Sequence, residues 1–195
     1  MIGKLAVALA APLLLSNAPH QSAPVYANIE QIRQVRCEDT AGTAFRVGTG
    51  AFVTAWHVAS APNCTIDGEP LNITYIDMKH DLAIIRTKVY GKPLKIDCGG
   101  FVDREGYAGV GFAKGLPIQR VIFVLASDDM TLLAPWGDFT TLFGDRFIPG
   151  MSGGAVFGKD GRVVGVVNGY NRALPLSYSQ ALKGTALCPD SGPAS

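Results

Sequence analysis

Three side chains in this sequence could share one acyl-transfer reaction: a serine, a histidine and an aspartate. Ser152 stands in Pro149-Gly150-Met151-Ser152-Gly153-Gly154. The glycines of that run permit backbone angles closed to other residues, so a hydroxyl can be presented at a tight turn while neighbouring N–H groups face a developing oxyanion. A serine nucleophile also needs a base within hydrogen-bond reach and a group that orients the base. Of the three histidines, His20 falls within the first 27 residues, beyond an N-terminal apolar run, and His80 directly precedes an aspartate, which makes His57 in Val53-Thr54-Ala55-Trp56-His57-Val58 the strongest base candidate. Asp81, heading Leu82-Ala83-Ile84-Ile85, sits where a carboxylate at the edge of a core can accept from a ring N–H and fix its tautomer.

Gly150-x-Ser152-x-Gly154 also fits the nucleophile turn of α/β-hydrolases, where the acid and then the histidine follow the serine. No histidine follows Ser152. An acid-histidine-serine order would need an acid such as Asp39 on an α/β scaffold, and the remaining pattern does not describe one. The order His57, Asp81, Ser152 is left.

The elements that must hold these residues read as strands. Short apolar or alternating runs recur at Ile32 to Val35, Ala51 to Thr54, Leu71 to Ile76, Leu82 to Thr87, Tyr107 to Phe112, Val121 to Leu125, Gly154 to Phe157 and Val163 to Val167, separated by Gly, Pro, Asn and Asp. Helix is expected only near Trp56 and around Tyr178 to Leu182. This predicts an all-β protein and argues against alternating strands and helices.

Composition agrees. The chain has 195 residues, 48% hydrophobic and 17% charged, with 23 Gly and 12 Pro, which describes a turn-rich globular domain. Lys and Arg number 17 against 16 for Asp and Glu, so bulk charge gives no reason to expect a nucleic-acid partner or an anionic membrane surface. Residues 1–27 read as an export signal: Lys4, then the apolar run Leu5 to Leu15, then small residues allowing cleavage after Ala27 or Ala18. As a helix that run spans ~16 Å against ~30 Å of bilayer hydrocarbon, too short for a stable anchor. A secreted or periplasmic location follows, and there Cys37, Cys64, Cys98 and Cys188 should form two disulfides in one of three connectivities. Their spacing gives no metal motif, and none is expected.

Thr54-Ala55-x-His57, Asp81-Leu82-Ala83-Ile84 and Gly150-x-Ser152-Gly153-Gly154, in this order, resemble the chymotrypsin/trypsin-like serine proteases of compact bacterial type. The resemblance runs from about Cys37 to Tyr170. It implies two antiparallel six-stranded β-barrels with the site in the cleft between them, dividing near residues 100–118 within a protease domain spanning 28–195. It also implies peptide-bond hydrolysis by His57, Asp81 and Ser152 without a cofactor, with the N–H groups of Gly150 and Ser152 as the oxyanion hole. The substrate pocket would then include Arg146 at its floor, unless that side chain points to solvent, with Val167, Asn168, Gly169 and Tyr170 as walls. Protein or peptide substrates are the implied partners. An esterase using the same three residues, or an inactive binding module on the same fold, are the alternatives.

Several positions depart from the family pattern: Trp56 before the histidine, Val58 after it, Met151 before the serine and Ala155 after Gly153-Gly154. Trp56 either walls a subsite or fills the core of the first half. Met151 replaces the carboxylate that in animal members receives a buried N-terminal ammonium, so the serine loop is expected to be held by apolar packing of Met151 and by Pro149. The position of the histidine in the implied first barrel favours Cys37 paired with Cys64, leaving Cys98 for Cys188.

Overall fold

Short apolar runs cut by glycine, proline and asparagine cannot sustain long helices, and they pair instead as antiparallel strands. The computed structural model describes residues 29–114, 116–117, 119–127, 139–174 and 176–189. The expected export segment 1–27, with both cleavage points and His20, lies outside the described residues.

Seven strands form the first sheet: β1 (Ile32–Arg36), β2 (Ala41–Gly48), β3 (Ala51–Ala55), β4 (Thr65–Ile66), β5 (Glu69–Pro70), β6 (Asn72–Asp77) and β7 (Leu82–Arg86), in the order β5-β4-β1-β2-β3-β7-β6. Six more close into a barrel in the order β10-β13-β12-β11-β8-β9: β8 (Gly106–Phe112), β9 (Gln119–Ser127), β10 (Phe139–Gly144), β11 (Ala155–Phe157), β12 (Val163–Tyr170) and β13 (Leu176–Ala181). The all-β, two-part architecture is the expected one. The first half counts seven strands because the chain after Cys64 adds the two-residue strands β4 and β5 outside β1.

One four-residue helix, α1 (Trp56–Ala59), follows β3 as expected. The second expected helix is instead part of β13, whose inward positions include the fully buried Ser177 and Ser179. Ser177 Oγ accepts the Phe147 N–H at 2.9 Å and Ser179 Oγ donates to the Val166 carbonyl at 2.8 Å. Buried hydroxyls with partners let a strand do without the apolar alternation that marks it in a sequence.

Each half has its own apolar cluster: Val35, Phe52, Val58, Ile66 and Ile85 in the first, and Val124, Leu142, Phe147, Met151 and Val164 in the second. A third cluster joins them, packing Ile32, Phe45, Val53 and Leu82 against Val110, Phe157, Val163 and Val166. The halves are therefore docked through apolar contact that water cannot enter, which favours a fixed relation between them. The connector from Arg86 to Gly106 is fastened to the barrel: Asp97 N donates to the Val163 carbonyl and Val163 N to the Lys95 carbonyl. Disulfides Cys37–Cys64 and Cys98–Cys188 complete the framework in the expected pairing, bracing the loop after α1 and tying the connector to the C-terminal segment.

Candidate active site

His57 is placed by a helix too short to satisfy its own ends. The first N–H groups of a helix lack intrahelical acceptors, and Ala55 at the cap has no side chain to offer. Asp81 serves instead: its carbonyl accepts the Trp56 N–H at 3.0 Å and its Oδ1 accepts the His57 N–H at 2.8 Å. Oδ2 then lies 2.6 Å from His57 Nδ1. An ionised carboxylate only accepts, so Nδ1 carries the ring proton and Nε2 of the neutral ring keeps its lone pair. Asp81 reaches this position from a left-handed backbone, φ +47°, a conformation aspartate adopts more readily than most residues.

Asp81 receives one further bond, from the second half. A bulge at Val167/Gly169 lifts Asn168 out of the ladder between β12 and β13, and its side-chain Oδ1 takes over by accepting the Gln180 N–H at 2.7 Å. That bond aims Nδ2 at Asp81 Oδ2, 2.9 Å away. Burial of the Asp81 carboxyl pushes its pKa up, but the hydrogen bond and charge of the His57 ring, the His57 N–H and the Asn168 amide outweigh it and hold the pKa below the ordinary value.

The serine loop is fixed carbonyl by carbonyl. Pro149 O accepts the Lys114 N–H at 2.7 Å, Gly150 O accepts the Thr43 hydroxyl at 2.8 Å, Met151 O accepts the Gly154 N–H at 2.8 Å and Ser152 O accepts the Thr43 N–H at 2.8 Å. Peptide planes are rigid, so anchoring a carbonyl also sets the opposed N–H. Among the described residues the Gly150 and Ser152 N–H groups have no acceptor, whereas Met151 N donates to Ile148 O and Gly153 N to Val167 O. Gly150 at φ +95° and Gly153 at φ +84° supply the backbone this path requires. Met151 is fully buried in the barrel cluster. Ser152 Oγ donates to the Asn168 carbonyl at 3.0 Å.

Hydrogen bonds thus link His57, Asp81, Asn168 and Ser152 in one chain, with Gly150 on the serine's own loop. The other sequence-derived positions divide. Arg146 is exposed, and its Nη1 donates to the carbonyls of Asn171, at 3.5 Å, and Arg172, at 3.0 Å. Val167 is fully buried in the barrel core, so only its backbone can reach the cleft, whereas Asn168, Gly169 and Tyr170 are half-buried. A Cβ built on Gly169 meets nothing within 4 Å, so open space lies beside it. Trp56 is half-buried and lies outside the three apolar clusters. Thr43 was missed by the sequence reading, although a hydroxyl fourteen residues before His57 on a buried strand is a donor without an obvious local acceptor. The amide role of Asn168 was likewise unforeseen.

No protein-family model and no curated protein matches the chain. Solved structures do. The active form of the Rv3671c protease from M. tuberculosis superposes with a TM-score of 0.71 at 18% identity, covering 92% of this chain and 89% of that one. The HtrA-type protease AlgW with a tripeptide gives 0.69 at 16% identity over 84% of this chain and 60% of that one, and the serine endoprotease from Yersinia pestis gives 0.65 at 16% over 81% and 61%. The chain has the chymotrypsin-like fold of these serine proteases.

Proposed function

We propose that this protein is a serine endopeptidase with His57, Asp81 and Ser152 as its catalytic residues. The observation that carries this reading is the loop from Pro149 to Ser152, with four anchored carbonyls and two N–H groups left without acceptors among the described residues, joined through Asn168 to a half-buried carboxylate paired with His57. In the reaction Ser152 Oγ turns from the Asn168 carbonyl toward His57 Nε2 and attacks the substrate carbonyl carbon. Its proton passes to Nε2, and the carbonyl π pair moves onto the oxygen, which the Gly150 and Ser152 N–H groups bind. Collapse expels the amine, which takes the proton from Nε2 and leaves acyl-Ser152. Water then repeats the sequence and releases the acid. Asp81 steadies the imidazolium throughout, and no cofactor enters.

Asn168, Gly169 and Tyr170 are proposed to line the substrate cleft, with Val167 contributing backbone alone. Arg146 is not proposed as a charge-selecting floor, because its guanidinium is exposed and engaged with main-chain carbonyls. Burial of Met151 among apolar residues supports a loop that needs no buried N-terminal ammonium. Two disulfides support an oxidising compartment, and with the export segment we propose secretion or a periplasmic location. No helix among the described residues is long and apolar enough to cross a membrane.

Fluorophosphonate labelling of wild type beside Ser152→Ala tests the reading, followed by profiling on peptide and ester libraries. Labelling at Ser152 with peptide turnover supports an endopeptidase; labelling with ester turnover alone supports an esterase. Absence of labelling in folded protein supports the binding-module alternative.

A further inference from the structure

Each half of the molecule holds a reactive residue of the other. The second half reaches Asp81 through Asn168. Among the described residues, the side chain by which the first half hydrogen-bonds to the serine loop is that of Thr43 on β2. This residue is fully buried and makes three bonds to the second half: its N–H to Ser152 O at 2.8 Å, its hydroxyl to Gly150 O at 2.8 Å, and its Oγ1 from the Phe112 N–H at 2.9 Å. Its own carbonyl accepts the Thr54 hydroxyl at 2.7 Å, which fixes it on the first sheet. A hydroxyl has one proton and two lone pairs, and here the proton goes to Gly150 while a lone pair takes Phe112, so its orientation is determined.

We propose that Thr43 is a positioning residue whose hydroxyl sets the peptide between Gly150 and Met151, and through it the two oxyanion donors on either side. The inference rests on the serine-hydrolase reading of the site. Nothing else described accepts or donates at Gly150 O. Without that bond the 150–151 peptide, whose first residue is a glycine, keeps among the described residues only the Met151 N–H bond to Ile148 O at 3.1 Å, so its orientation loosens and with it the convergence of the Gly150 and Ser152 N–H groups on one point. The oxyanion site is then made by the docking of the two halves, and a change in that docking is transmitted to it through a single threonine.

The consequence is a loss in the chemical step with little loss in binding. Thr43→Val keeps the branched shape and the N–H bond to Ser152 O but removes the hydroxyl; Thr43→Ser keeps the hydroxyl. With p-nitrophenyl acetate as substrate, Thr43→Val should lower kcat roughly 10²-fold, the scale set by loss of an oxyanion donor, with KM changed by less than about threefold. Thr43→Ser should recover kcat to within about fivefold of wild type. Amide hydrogen exchange at Met151 and Gly153, read without substrate, should be faster in Thr43→Val and near wild type in Thr43→Ser. If Thr43→Val does not accumulate folded, Thr43→Ala carries the same measurements. Wild-type kcat in a folded variant lacking the hydroxyl, or a Thr43→Ser as slow as Thr43→Val, would overturn the proposal. If wild type itself neither turns over esters nor takes a fluorophosphonate, the hydrolase reading has failed, and the exchange comparison still decides whether Thr43 holds the loop.

Discussion

The Asn168 amide nitrogen lies 2.9 Å from Asp81 Oδ2, while the carbonyl of the same residue receives the Ser152 hydroxyl at 3.0 Å. One residue of the barrel therefore touches both the carboxylate paired with His57 and the hydroxyl of Ser152. The bulge that makes this possible replaces a main-chain ladder bond by the bond from Gln180 N to Asn168 Oδ1, so the side chain is held at both ends.

Asn168→Ala should lower kcat by about 10- to 100-fold, the equivalent of one charge-assisted hydrogen bond. Asn168→Asp should be at least as damaging, because it sets a second carboxylate against Asp81. Steady-state kinetics on an ester substrate measures both, and an Asn168→Ala enzyme of full activity would show that the contact is incidental.

Ser152→Ala and His57→Ala should each cost roughly 10⁶-fold in kcat, and Asp81→Asn on the order of 10⁴-fold. His80→Ala should cost far less, although His80 makes a look-alike pair with Asp77 at 2.6 Å. A His80→Ala variant as slow as His57→Ala would exchange the roles of the two histidines.

Acid should unfold the protein through Asp77 and Asp81. Burial raises both pKa values, yet hydrogen bonds from His80 and His57 and the charge of those rings bring each below the ordinary 3.8. A depressed native pKa means that the unfolded chain binds more protons, so this stability is present above that ordinary value and is lost as the pH falls through the lowered native values. Melting temperatures of Asp77→Asn and Asp81→Asn should lie below wild type at pH 7 and converge on it below about pH 3.8. A gap that stays constant across that window contradicts the assignment.

Gly153→Ala should destabilise by about 3 kcal/mol or more. The new Cβ would stand 2.1 Å from Thr43 O and 2.3 Å from Thr54 Oγ1, on a backbone at φ +84°. Denaturant titration gives the value; a loss within ~0.5 kcal/mol would mean that the two halves separate easily here.

The proposed reacting residues could be singled out because there are only three histidines to choose from and Asp81 and Ser152 each head or sit in a short pattern, while chain order together with the strand-rich pattern set aside competing arrangements. The closed barrel was legible through Tyr107 to Phe112, Val121 to Leu125 and Val163 to Val167, whose apolar runs became β8, β9 and β12. What escaped were residues whose importance is a contact across the fold. Thr43 sits in β2, where two glycines, the threonine and an arginine interrupt Ala41, Ala44, Phe45 and Val47, so no clean apolar run announces the strand. Asn168 looks like a cleft wall until the bulge turns its amide inward. Ser177 and Ser179 disguised β13 because their burial is satisfied by hydrogen bonds to Phe147 and Val166, partners far along the chain.

The Cys98–Cys188 bridge encloses nearly the whole barrel in one covalent ring. A backbone cut anywhere between these cysteines yields two fragments that stay linked, so a nicked molecule keeps its mass until reduced. A cut between Cys64 and Cys98, outside both rings, breaks the covalent link between the two disulfide-closed rings and leaves the apolar interface and the hydrogen bonds across it, those of Thr43, Asn168, Gln34 and Gln119 among them, to keep the pieces together. Damage to the chain is therefore silent inside either ring and exposed between Cys64 and Cys98, where a single cut lets two pieces part without reduction.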